Sequence, residues 1–323
     1  MICRLRNTKS LLTLILAYKI NIPIIKNSSK MIKSCLPIFL ICIFTTSLIS
    51  QQKNPITNYK YYIENEQVIS EHKMPASASF TSFSTIQERS TNKPKYYKSL
   101  NGLWKFNWVK DPKDRPTTFM NAGFDPSSWS EIKVPANWEV EGFGVPIYVN
   151  HQYEFADYKA PIAADMEFVD KIYPKDPGNV PDHYNPVGTY LREFTLDKDW
   201  AQKEVILHIG AMKSGGFVWL NGKYIGYSQD SKLPAEFNIT KAMKTGKNII
   251  ALQIFRWTDG SYLECQDFWR ISGIERDVYI YAQPKVRIQD FEVKSTLADA
   301  ILDRINHNAT KINLKGKSLR SAV

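Results

Sequence analysis

The sequence predicts an all-β protein folded as a β-sandwich or jelly roll, and three observations carry that prediction. Along "SLNGLWKFNWV" (99–109) the rings of Trp104, Phe106 and Trp108 alternate with smaller or polar residues, so all three fall on one face of a strand. In "GGFVWLNGKYIGYS" the pair Asn221-Gly222 stands between two apolar runs, as a tight hairpin requires when both turn residues take positive φ. "NIIALQIFRW" (248–257) and "RDVYIYA" (276–282) are apolar on both faces, the pattern of strands covered on both sides, which suggests sheet packed on sheet. No helical periodicity longer than a few turns accompanies them outside the first 50 residues, and no internal repeat is visible.

From the amino terminus, the first element is a leader over residues 1–50. "MIKSCLPIFLICIFTTSLISQQ", from Met31, has a lysine, an apolar run and then small polar residues, the layout of a secretory signal with a run short for a membrane span. Met31 is then the expected start and Ser50 the expected cleavage point, although Leu48 is larger than a signal peptidase favours; an uncleaved membrane anchor is the alternative. Cleavage places the protein in the periplasm or outside the cell, free of the membrane. Cys3, Cys35 and Cys42 leave with the leader, so Cys265 stands alone and no internal disulfide forms. CxxC and CxxH zinc patterns are absent.

The net charge of +10 is also a property of the ends. Residues 1–50 hold seven Lys or Arg and no acid, and residues 301–323 hold five against Asp303. Removing these from totals of 42 basic and 32 acidic leaves 30 basic and 31 acidic residues between them, so the middle of the chain offers no basic face for nucleic acid.

Residues 51–94 are polar and turn-rich and read as an extended arm. Strands begin near residue 95 and continue to Pro284. Among them, residues 135–184 carry Pro135, Pro146, Pro161, Pro174, Pro177 and Pro181, which exclude central strands and long helices there. "KVRIQDFEVKSTL", after Pro284, reads as another strand opening a second domain over 285–323. An immunoglobulin-like sandwich needs roughly 100 residues, so that domain is expected to be cut short, with an unpatterned tail.

Chemistry is sparse on residue type alone. Asp230, Asp259, Glu264 and Asp267 fall in or near loops, Asn185 precedes a strand, and Tyr148, Tyr184, Trp257, Tyr262 and Trp269 supply rings. Carboxylates beside flat apolar faces suit a sugar, which offers hydroxyl edges and a C–H face. The same residues also suit turn caps and core packing.

Four motifs in chain order narrow the choice: "SLNGLWKF" with "VPANWEVEGFGVPIYVNHQYEF", then "NPVGTYLREFTL", "VWLNGKYIGYSQDSKLPAEFNIT" and "LQIFRWTDGSYLECQDFWRISGIERDVYIYAQP". Over about residues 95–293 they resemble the N-terminal sugar-binding domain of glycoside hydrolase family 2, in particular its large β-galactosidases. The resemblance implies a galactose-binding-like jelly roll over 95–284, followed by the start of an immunoglobulin-like domain. Its family reaction is hydrolysis of terminal non-reducing β-D-galactosides. Asp230 matches the aspartate that contacts galactose hydroxyls and a sodium ion, and Asn185 matches the asparagine beside the sugar. Magnesium belongs to the complete enzyme, at sites mostly beyond this chain, and the full-length protein is a possible homo-oligomer. Within "DFWRISGIERD", Arg270, Arg276 and Asp277 are expected to form buried ion pairs at a corner, with Trp269 packed.

Retaining glycosidases need two carboxyl groups about 5–5.5 Å apart. The family carries them on a TIM barrel, a domain of typically about 250 residues that this sequence lacks. No catalytic residue is therefore assigned, and the chain is expected to be inactive alone, as the amino-terminal part of a β-galactosidase. The alternative is a free-standing carbohydrate-binding or structural module. "SQDSKLPAEF" argues against glucuronide or mannoside specificity.

Overall fold

The computed structural model describes residues 54–149, 178–264 and 268–293. The leader, Asp267 and the tail from residue 294 lie outside the described residues.

Two antiparallel sheets form the sandwich. The larger has seven strands in the order β1 (Ser70–Glu71), β11 (Lys223–Ser228), β10 (Gly215–Leu220), β13 (Gly246–Phe255), β7 (Val187–Leu196), β3 (Gly102–Val109) and β4 (Ser130–Val134). The smaller runs β12 (Ala235–Asn238), β8 (Glu204–Ile209), β16 (Val278–Gln283) and β2 (Tyr97–Ser99). Period-two alternation decides what lies between them. Tyr190, Phe194, Val218, Leu220, Ile250, Leu252 and Ile254 of the large sheet share one core with Leu207, Ile209, Phe237, Val278 and Ile280 of the small one. Each such side chain, fully buried, contributes about 1.5–3 kcal/mol. At the β10–β11 hairpin, Asn221 and Gly222 take φ 53° and 81°, and Leu220 pairs with Lys223, as the turn chemistry requires.

The other face of the large sheet is buried by a different means. Phe217, Trp219, Leu191, Ala251 and Phe255 pack there beneath Tyr62, Ile63, Phe119, Tyr184 and Trp257, which come from a short helix and from loops. Every residue of β10 is consequently buried. The two-sided apolar run of β13 thus reports one sheet-on-sheet face and one face covered by connecting segments, whereas on β16 the outward Tyr279 and Tyr281 are only half-buried.

This covering corrects the extended arm expected over 51–94. Tyr59–Ile63 is one helical turn, with Tyr62 and Ile63 buried. Tyr62 and Tyr224 both donate hydroxyls to the Glu71 carboxylate, at 3.0 and 2.8 Å, and β1 adds a strand to β11. A second helix, Ile86–Thr91, begins at Thr85, whose side chain accepts the Glu88 N–H. The helix at Tyr59 is too short for periodicity to reveal, and the large sheet it packs on supplies its stability.

The strand-like run after Pro284 needs the same correction. Its described part, residues 285–293, forms no strand. A strand needs a neighbour to take its backbone hydrogen bonds, and the described residues give this run none. By contact, the chain divides into the unit holding the sandwich and a smaller one whose described residues are 77–80 and 288–293. Within the smaller unit, the Ala78 N–H donates to Asp290 Oδ1 at 2.9 Å and the rings of Phe80 and Phe291 meet at 5.8 Å.

Candidate functional site

Asp230 follows β11 and begins the loop that leads to β12. It is exposed and sits at φ 80°, a left-handed backbone that Asp and Asn tolerate better than other residues with a Cβ. Its side chain has no hydrogen-bond or ion-pair partner among the described residues. Its two neighbours, by contrast, are anchored. Gln229 is buried, its N–H donates to the Ile69 carbonyl at 2.9 Å, and its Nε2 donates to the Tyr62 carbonyl at 3.0 Å. The Thr258 hydroxyl donates to Gln229 Oε1 at 3.3 Å. On the other side, the Ser231 N–H reaches Glu264 Oε1 at 2.9 Å, while the Ser231 hydroxyl donates to Glu264 Oε2. The loop therefore presents one solvated carboxylate from a backbone fixed on both sides, a donor set suited to hydroxyl groups or a hard cation.

Asn185 has another environment. It is completely buried, and its side-chain amide is engaged with the Trp257 backbone: Nδ2 donates to the carbonyl at 3.1 Å and Oδ1 accepts the N–H at 3.0 Å. This clamp joins the segment before β7 to the loop after β13. The next residue, Thr258, shares a 2.6 Å hydroxyl contact with Ser214 in addition to its bond to Gln229. Asn185 and Asp230 thus belong to one network, Asn185–Trp257–Thr258–Gln229–Asp230, with the Asn185 amide bonded to backbone at its far end.

Asp259, also singled out from sequence, accepts the Gly260 N–H at 2.9 Å, and burial pushes its carboxyl above the usual range. Among the rings, Trp257 and Tyr184 are buried and 5.9 Å apart, and the Tyr262 hydroxyl donates to the Asn179 carbonyl. Trp269 is 52% exposed on β14 (Phe268–Arg270), 5.6 Å from the ring of Tyr148 on the paired β6 (Ile147–Val149). Trp269 is therefore a surface ring, not the packed residue expected.

Of the three residues expected in buried ion pairs, Arg270 is buried and Arg276 and Asp277 are not. Arg276 and Asp277 are exposed; Arg276 donates to the Lys232 carbonyl and Asp277 accepts from Asn101. Among the described residues a buried pair joins Arg256 to Glu139, 3.1 Å apart with both side chains almost wholly inaccessible. Burial pushes the Glu139 carboxyl up, against the pull of the Arg256 guanidinium and of the Ser272 N–H at 2.8 Å. Arg256 also donates to the Val145 and Arg270 carbonyls, so it ties three loop segments together. Strand parity does not reveal this pair, because both members lie at strand ends or in loops. An arginine closing an apolar run in "IFRW" was the available signal.

Among the described residues no group of three or more His, Cys, Asp or Glu side chains is placed to hold a metal ion. A cation at Asp230 would take its remaining oxygen ligands from other groups.

The profile of the glycosyl hydrolases family 2, sugar binding domain, matches residues 97–284, more than half of the chain. The chain belongs to this family. The β-galactosidase of Priestia megaterium is 37% identical over 246 residues, which make up 75% of this chain and 22% of that protein. The β-galactosidase of Vibrio cholerae is 37% identical over 234 residues, 72% of this chain and 21% of that protein. The chain therefore spans about a fifth of the length of these relatives. A solved β-glucuronidase of Bacteroides uniformis aligns at 24% identity with a TM-score of 0.41, over 58% of this chain and 18% of that one. In this family 2 sugar-binding domain, the loop bearing Asp230 and the clamp at Asn185 both fall inside the matched span.

Proposed function

We propose that this family 2 domain is the sugar-contacting module of a β-galactosidase, with Asp230 as its direct ligand. The observation that supports this is the Asp230 loop, which holds a solvated, unpaired carboxylate on a left-handed backbone between two anchored residues. An ionised carboxylate accepts two hydroxyl donors of a galactose, and each charge-assisted hydrogen bond contributes about 1.5–3 kcal/mol. When bound there, sodium would supply a fixed positive charge that orders sugar oxygens. Asn185 acts through Trp257 and Thr258 to hold the loop. The catalytic carboxylates, and the magnesium of the complete enzyme, are assigned to segments beyond the matched span. Delivery by the leader to the periplasm or exterior is part of the same proposal and is checked by N-terminal sequencing of the mature protein.

Association itself costs at least about 4 kcal/mol and the two bonds return about 6 kcal/mol at most, so one carboxylate gives this chain at best about −2 kcal/mol, an affinity in the tens of millimolar. The test is a titration of the isotopically labelled chain with galactose in sodium buffer, following the amide signals of residues 228–233. Saturation no tighter than about tens of millimolar, lost in Asp230→Ala, is expected. Equal responses of wild type and Asp230→Ala would refute the assignment, and glucuronate acting as galactose does at this loop would refute the galactoside preference.

A further inference from the structure

A second feature lies where the chain crosses between sheets. The Leu100 N–H still donates to the Val278 carbonyl of the small sheet at 2.8 Å, and two residues later Gly102 pairs with Val134 of the large one. Gly102 takes φ 123°, a backbone region that only glycine adopts without strain. After this corner, β3 meets β7 only part of the way. Their ladder runs from Val109 opposite Val187 to Lys105 opposite Leu191 and stops, although β7 continues to Leu196. A cleft of about 370 Å³ opens beyond that point, lined by Leu100 and Phe194 and by Lys98, Arg192 and Lys247. This volume lies within the range of small-ligand sites.

The charges here run against strand parity. Arg192 shares its face of β7 with Tyr190 and Phe194, and Lys98 stands opposite Ile280; all three of those partners belong to the core. Two cations are thus turned toward the inter-sheet side at its mouth, where apolar groups are expected. Neither has a carboxylate partner among the described residues. Arg192 Nη1 donates to the Leu103 carbonyl at 2.9 Å, and its guanidinium lies 5.9 Å from the Trp104 ring, which fixes its plane. Lys247 is paired with Glu193, the carboxylate of the cleft lining, at 2.7 Å.

We propose that this cleft binds a small oxyanion, the sulfate or carboxylate group of an acidic sugar, independently of Asp230. A fixed guanidinium matches two oxygens of such a group at once, and Lys98 adds a second unpaired charge. Ser99 and Thr195 in the lining supply hydroxyls, while Leu100 and Phe194 give an apolar surface for a sugar C–H face. The competing account is that an inward lysine guards the edge strand β2 against pairing with another chain. That account covers Lys98 but not Arg192, whose guanidinium is turned back onto the Leu103 carbonyl.

The experiment is a titration of the labelled chain at constant ionic strength with inorganic sulfate, galactose 6-sulfate, glucuronate and neutral galactose. Saturable shifts at residues 98–100 and 192–195 are expected with the three anions. In Lys98→Gln, which removes a side chain with no internal partner, the midpoints should weaken about tenfold, the loss of one charge-assisted hydrogen bond. In Asp230→Ala they should not move, so failure here is separable from failure of the galactose assignment. Three results would overturn the proposal: no saturation by any anion, the same shifts with neutral galactose, or unchanged midpoints in a Lys98→Gln variant that self-associates on gel filtration.

Discussion

Replacing Asn185 with alanine tests the clamp that organises the site. The change removes the donor and the acceptor that satisfy the Trp257 carbonyl and N–H, and both Asn185 and Trp257 are completely buried. Each buried polar group left without a partner costs about 1–3 kcal/mol, so the pair should cost about 2–6 kcal/mol. Against a total of about 5–15 kcal/mol, such a loss is a large share of the stability of the domain. Urea unfolding followed by tryptophan fluorescence measures it directly. Asn185→Asp sharpens the test, because it keeps an acceptor for the Trp257 N–H but sets an oxygen against the Trp257 carbonyl. The new carboxyl would be held protonated by burial, so its folded pKa is raised. Its stabilising bond is then present below the unfolded pKa and lost as pH rises through the folded one, and the variant should be more nearly native at pH 4 than at pH 7. Asn185→Ala unfolding within about 0.5 kcal/mol of wild type would show that the amide is not what holds Trp257, and the positioning role would fall.

Three further outcomes follow from buried geometry. Gly188→Ala places a Cβ 2.4 Å from Trp138 Cζ2 and 2.8 Å from Phe106 Cε2; an overpacking loss of about 1–3 kcal/mol is expected in the same urea assay, and a neutral result would mean that the Trp138 ring moves freely. Glu139→Ala leaves the Arg256 guanidinium buried without its counter-charge and should cost about 3–5 kcal/mol, partly recovered when Arg256→Met is added; additive losses would show that the two groups are not coupled. In alkali, the fully buried Tyr190 and Tyr227 act together, since burial pushes both phenols far above their ordinary value near 10. The folded state then keeps protons that the unfolded state releases, so this stability is complete below pH 10 and lost as pH rises, by about 3 kcal/mol for the pair at pH 11. Equal urea midpoints at pH 9 and pH 11 would contradict it.

The sandwich, the hairpin at Asn221-Gly222 and the loop at Asp230 are legible in the linear chain. Each rests on local chemistry: side-chain alternation, residues able to take positive φ, and a motif contiguous in the chain. Tertiary structure alone decided the rest. Whether Asn185 faces a sugar or a backbone depends on Trp257, 72 residues away. The burial of Tyr62 depends on the rings of Phe217 and Tyr227, strand residues 155 and 165 positions later. The Arg256–Glu139 pair and the inward-facing Arg192 and Lys98 likewise bring together residues with no common sequence pattern. A polar side chain's role is fixed by the partner that replaces its lost water, and a linear pattern does not name that partner when it comes from a distant loop.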